Sequence, residues 1–205
     1  MDADFSIELG PEDPVLDFPW KDSSGKFAYF DLKRHPELMA SIEEAAEFPE
    51  LGESLALLNS AASIVETAKC DAWLTTELNE EEDIYHASHK FASYIDVVFS
   101  HLDLRLSSFD QSLYVHEQFA RKLVESVRQA PDGPSAAQVE VCVRRCYFGI
   151  GLDDDGGTHE GCYFTLYVSG YGNDAVSSRR NWSHGLTTVG NAIVELSESA
   201  RPRGA

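Results

Sequence analysis

Val139-Glu140-Val141-Cys142-Val143-Arg144 and, beyond an acidic glycine turn, Cys162-Tyr163-Phe164-Thr165-Leu166-Tyr167-Val168-Ser169 are the stretches that decide the fold. Each alternates apolar and polar side chains, the period of a half-buried strand. The turn Asp153–Gly157 between them carries the acids and glycines that hairpin connections favour. Matching apolar face to apolar face sets Val139, Val141 and Val143 beside Phe164, Leu166 and Val168. Past Gly170-Tyr171-Gly172, read as a tight corner, the period changes to that of a helix seamed by Leu186, Val189, Ile193 and Leu196.

Strand, turn, strand and helix in one continuous unit predict an α+β fold. The expectation is a single domain over residues 1–205, with several helices packed on a small antiparallel sheet. That sheet centres on the C-terminal β-hairpin, and a final helix follows it. Pro131-Asp132-Gly133-Pro134 punctuates the chain before this unit, and so short a connection suits the inside of one domain.

Upstream, residues 1–25 read as a partly irregular acidic arm broken by Pro11, Pro14 and Pro19, with an edge strand near Phe5–Leu9. Lys26–Leu32 reads as a strand, and residues 26–130 otherwise as mainly helical. Pro36 opens one helix, Leu51–Lys69 forms another, and Gln111–Gln129 a further one. Ile84–Leu102 is the most apolar of these segments. On a helical wheel its apolar residues cover about 180°, the width of a helix packed on more than one side.

Composition bounds function. Formal charge is −19, and it is lopsided: residues 1–83 hold 21 acids and 5 bases, net −16, against −3 for residues 84–205. Such a surface excludes nucleic acid as a direct ligand, because phosphate recognition needs lysine and arginine. It suits either simple solvation or a basic protein partner. No run approaches the ~20 apolar residues of a membrane span. The start, Met1-Asp2-Ala3-Asp4, has no signal-peptide pattern, so a cytoplasmic protein with Cys70, Cys142, Cys146 and Cys162 reduced is expected.

Three groups of residues carry chemistry. The polar face of the hairpin shows Arg144 with Tyr163 and Tyr167, a surface that binds a partner or is covered by the N-terminal arm or a second subunit. Arg179, Arg180 and Trp182 at the start of the last helix form a candidate anion pocket. His86, His89 and Asp96 would share the polar face of an Ile84–Leu102 helix and could hold a divalent metal, although no HExxH motif accompanies them. Cys142 and Cys146 lie ~13 Å apart at strand rise, too far to share a metal, while Cys146 and Cys162 are neighbours across the hairpin. The Asp153–Glu160 turn departs from a calcium loop at its glycine position. His116-Glu117 offers acid–base groups without a partner in the sequence.

With no nucleophile elbow, P-loop or kinase signature, the expectation is a binding or regulatory protein. It would act on a protein partner, or on itself, through the acidic half and the Tyr/Arg face, with no cofactor. The alternative is a small metal-dependent or acid–base enzyme using His86, His89 and Asp96.

Overall fold

The two strands of the C-terminal third lie in the middle of a sheet in the computed structural model, which describes residues 1–24, 27–79, 82, 85–149 and 157–200. In chain order the elements are β1 (Asp2–Glu8), β2 (Leu16–Phe18), a 3-10 turn (Pro36–Ser41), α1 (Glu43–Glu47) and α2 (Pro49–Leu58). They continue with β3 (Val65–Thr75), β4 (His89–Phe99), α3 (Leu102–Arg105), α4 (Phe109–Gln129), β5 (Ala137–Gly149), β6 (Thr158–Gly172) and α5 (Ala175–Ala200). The strands form one six-stranded sheet in the order β1-β5-β6-β4-β3, with β2 following β1 along the same edge of β5.

β5 and β6 pair antiparallel, with Val139 opposite Val168, Val141 opposite Leu166 and Val143 opposite Phe164. The acidic turn between them falls mostly outside the described residues. β4 joins β6 antiparallel and sets Ile95 beside Leu166, so one apolar stripe crosses three strands. On this face pack Ala120, Leu123 and Val127 of α4 and Leu186, Val189 and Ile193 of α5. Each such valine, leucine or isoleucine taken from water contributes about 1.5–3 kcal/mol.

α5 comes very close to the sheet, and two glycines permit it. A Cβ on Gly170 would lie 2.6 Å from Trp182 Cα and collide with the Trp182 nitrogen and the Ser178 carbonyl. A Cβ on Gly172 would meet Ser177 and Ser178. Gly170-Tyr171-Gly172 is therefore a close-approach device, and the expected tight corner is corrected. Trp182 is fully buried there, and its indole N–H donates to Ser93 Oγ on β4 at 2.8 Å.

The opposite face carries Arg144, Cys146, Phe148, Tyr163, Thr165 and Tyr167. Leu16, Phe18, Trp20 and Tyr29 cover one end of it and form a second apolar cluster with Ala68, Val98, Phe148 and Tyr163.

Several expectations are corrected. The sheet is mixed, since β1 and β2 run parallel to β5. The acidic arm is more regular than its prolines suggested: β1 spans Asp2–Glu8, and the proline-rich stretch only separates it from β2. Residues 26–130 are not mainly helical, because β3 and β4 lie within them. The Leu51–Lys69 helix ends at Leu58, and Val65 onward is strand. The Ile84–Leu102 helix is instead a strand over His89–Phe99. β4 is covered on both faces and carries apolar residues on each, Phe91, Ile95, Val97 and Phe99 on one and Ala92, Tyr94 and Val98 on the other, which a helical wheel cannot tell from a wide helical stripe. Among the described residues of the Lys26–Leu32 segment, Ala28 makes only an isolated bridge to Lys21. Cys146 and Cys162 project from opposite faces, Cys146 beneath the N-terminal segment and Cys162 toward the helices, so they are not paired. All four cysteines are free thiols. No helix among the described residues is long and apolar enough to cross a membrane.

Gly170→Ala is expected to cost about 3 kcal/mol or more in urea unfolding, since the clash is with backbone. Gly157→Ala, where a Cβ meets nothing within 4 Å, should change stability by less than about 0.5 kcal/mol.

Candidate functional site

Arg144 lies at the centre of the polar sheet face, and its donors are already engaged. Nε and Nη2 both reach Glu8 Oε2, at 2.7 and 2.6 Å. Nη1 donates to Thr165 Oγ1 at 2.9 Å and to the Tyr167 hydroxyl at 3.1 Å. The Thr165 hydroxyl in turn donates a hydrogen bond to Asp96 Oδ1 at 2.6 Å. Tyr163 is buried beneath the N-terminal segment. The structure thus brings Arg144 and Tyr167 together and covers Tyr163, making this cluster a clasp that ties β1 to β5, β6 and β4.

Burial pushes the Asp96 carboxyl up to about 6, against the pull of the Thr165 hydrogen bond and of Lys69 and Arg144. Glu8, Glu140 and Cys142 gather within 4.8 Å, a spacing that could hold a metal ion. Arg144 already claims Glu8, however, and Ser6 donates to the Cys142 sulfur. Burial also pushes the Cys142 thiol up to about 12, so it stays protonated at neutral pH and is a poor metal donor.

The other predicted groups are dispersed. His89 and Asp96 stand seven residues apart on β4, on opposite faces and ~23 Å apart at strand rise. His86 precedes the strand, with φ 48°. These three residues are not assembled into one site. Arg179 makes a two-bond fork with Glu50 of α2 at 2.9 and 2.6 Å, Trp182 points into the core, and Arg180 is exposed. They form no common anion pocket. His116 is wedged between Phe99 and Phe164, and burial drives its pKa down to about 4, so it serves the core. The calcium-like turn from Asp153 lies largely outside the described residues.

The feature that sequence reasoning missed is a groove of about 490 Å³ along the outer edge of β3. Five consecutive strand residues, Thr67–Asp71, form its floor. Trp20, which packs with the second apolar cluster, and Phe27 border one side, Ile42, which packs on the main core, borders the other with Glu43 and Glu44, and Phe30 also lines the groove. Phe27 and Phe30 are 47% and 37% exposed, so the groove offers open apolar surface.

The chain builds this groove by crossing the sheet edge. Tyr29 packs with the second apolar cluster, its hydroxyl on Glu66, while Leu32 belongs to the main core on the other side. Lys33 follows and donates to the carbonyls of Ser60, Ser63 and Val65. The crossing closes the groove at the start of β3, and past Asp71 a second depression follows along Ala72–Leu74, bordered by Glu47, Phe48, Arg179 and Arg180.

Its electrostatics are negative. Among the described lining residues Asp22, Glu43, Glu44 and Asp71 are acidic and Lys69 alone is basic, its Nζ 4.6 Å from the Trp20 ring centre. Cys70 and Tyr94 both sense this field. Burial first, and then Glu44, Asp71 and Asp96, push the thiol up to about 12. Burial first, and then Asp96 and Asp71, do the same to the phenol. Acidic half-chain composition hinted at such a site, but its location depends on a fold that places residues 20–44 beside residues 67–71.

Compared with protein-family models, curated proteins and solved structures, the chain matches none.

Two outcomes are expected of the clasp. Arg144→Ala should lose about 2–4 kcal/mol in chemical unfolding, because it strands Glu8 and the buried Thr165–Asp96 pair. Asp96 has a raised folded-state pKa, so its stabilising contribution is present below about pH 4 and lost as pH rises through 6. Asp96→Asn should therefore gain on the order of 2 kcal/mol over the native chain at pH 7.5 and much less at pH 4.5. Equal gains at both pH values would contradict the assignment.

Proposed function

We propose that the chain is a non-catalytic binding protein that holds a basic, partly apolar segment of a partner protein in the groove beside β3. One observation carries the reading: an open, aromatic-walled groove has a rim of Asp22, Glu43, Glu44 and Asp71. The overall charge of −19, concentrated in the first 83 residues, supports it by steering basic partners toward this half of the molecule. The clasped state of Arg144 and the burial of Tyr163 move the contact surface away from the Tyr/Arg face. The scattering of His86, His89 and Asp96 leaves the metal-dependent alternative without a site to work from.

The test is fluorescence anisotropy with a labelled seven-residue peptide alternating lysine and valine, beside one alternating glutamate and valine. The lysine peptide should bind, and the glutamate peptide should not. Raising salt from 50 to 200 mM should weaken binding severalfold, since exposed charges are screened over about 10 Å. A Glu43→Lys, Glu44→Lys double change at the rim should weaken it at least tenfold with the thermal transition unmoved. Equal binding of both peptides, or no binding of the lysine peptide, would contradict the proposal.

A further inference from the structure

We infer that the partner segment enters the groove as an added β-strand on the free edge of β3. This rests on the binding reading above and specifies its mode. β3 ends the strand order, so Lys69–Thr75 pair with β4 on one side only. An uncovered edge presents a row of backbone donors and acceptors to any extended chain.

The start of β3 is covered by the protein itself. Lys33 Nζ donates to the Val65 carbonyl at 2.8 Å, and the Thr67 N–H donates to Asn59 Oδ1 at 3.1 Å. Trp20 Nε1 takes the Ala68 carbonyl at 2.6 Å. Beyond the irregularity between Thr67 and Lys69 the cover changes character. The Ala72 N–H turns away from β4 and is held by the neighbouring Asp71 Oδ1 at 2.7 Å. Since backbone groups alternate along a strand, Cys70 and Leu74 face the same way as Ala72. Cys70 to Leu74 spans ~13 Å, room for about five residues of an incoming strand.

The Asp71 cap is a local and reversible cover. Rotation of its side chain frees the Ala72 N–H for a partner carbonyl and exposes a carboxylate to a partner cation. The two walls then read the two faces of the incoming strand. Level with Cys70, side chains pointing toward α1 meet Glu43 and Glu44 and those pointing the other way meet Trp20 and Phe27, whereas level with Ala72–Leu74 the strand passes Glu47, Phe48, Arg179 and Arg180. Alternation of basic and apolar residues satisfies both walls at once. A second copy of this chain is disfavoured as the occupant. Pairing β3 with β3 would bring Glu43, Glu44 and Asp71 of two chains together, each chain carrying −19.

The experiment uses the full chain and the lysine–valine peptide in three forms: unmodified, N-methylated at every lysine, and N-methylated at every valine. In an extended strand the lysine N–H groups point to one edge and the valine N–H groups to the other. One methylated form should lose binding at least tenfold while the other keeps it within about threefold. Hydrogen exchange at Cys70 and Ala72 should slow at least tenfold with the unmodified peptide. If both methylated forms bind like the parent and Cys70 gains no protection, strand addition is wrong and the acidic groove still stands. If the unmodified peptide does not bind, both the groove reading and strand addition fall. Protection of Cys70 in a peptide-free dimer would identify a second copy as the occupant and overturn the proposal.

Discussion

Trp182 lies where α5 presses into the sheet, its indole N–H on Ser93 and its ring beside Phe91. The helix reaches that depth because β6 offers Gly170 and Gly172 where any side chain would collide. From this contact the rest of the packing follows. α5 at that distance fixes Leu186, Val189 and Ile193 over β6 and β5, and Arg179 at its first turns fixes α2 through Glu50. α4 fills the remaining width. One face of the sheet is thereby closed mainly by helices, with Leu32 added at the β3 end.

The second face is closed in part by the N-terminal segment. β1 and β2 extend β5 at one edge, and the chain then passes over the sheet through Trp20 and Tyr29 to the other edge. There it turns under through Leu32 and returns as α1 and α2. The first 60 residues therefore act as a strap that shields both sides of the sheet. The strap protects β3 only as far as Ala68, where Trp20 makes its hydrogen bond. Past that point the edge strand lies between an aromatic wall and an acidic one, with Asp71 folded over it. An edge left open in this way invites pairing with other strands unless charge guards it. The acids that would repel other copies of this chain are the same groups that would attract a basic segment.

Much of the C-terminal third was legible in the sequence because it is amphipathic: β5, β6 and α5 each show one apolar face with its own period. β4 was not, since it lies between two layers and its apolar residues hide the period of two. β3 was obscured for a related reason. Val65 continues the spacing of Leu51, Leu55 and Leu58, although Asn59 and Ser60 already end the helix. The candidate site was half legible. Charge asymmetry pointed to the acidic first half and to a basic partner, whereas the groove joins residues brought together only by the strap's crossing of the edge. Arg144 and Tyr167 read as binding residues because sequence cannot show that Glu8, 136 positions earlier, already occupies the arginine.

The most direct test of the account is the location of the bound lysine–valine peptide by intermolecular nuclear Overhauser effects in the isotope-labelled protein. Strand addition requires backbone-to-backbone contacts from the peptide to Cys70 and Ala72, with lysine methylenes near Glu43 and Glu44 and valine methyls near Trp20 and Phe27. Contacts confined to Glu140 and Tyr167 on the sheet face, or to α5, would contradict it.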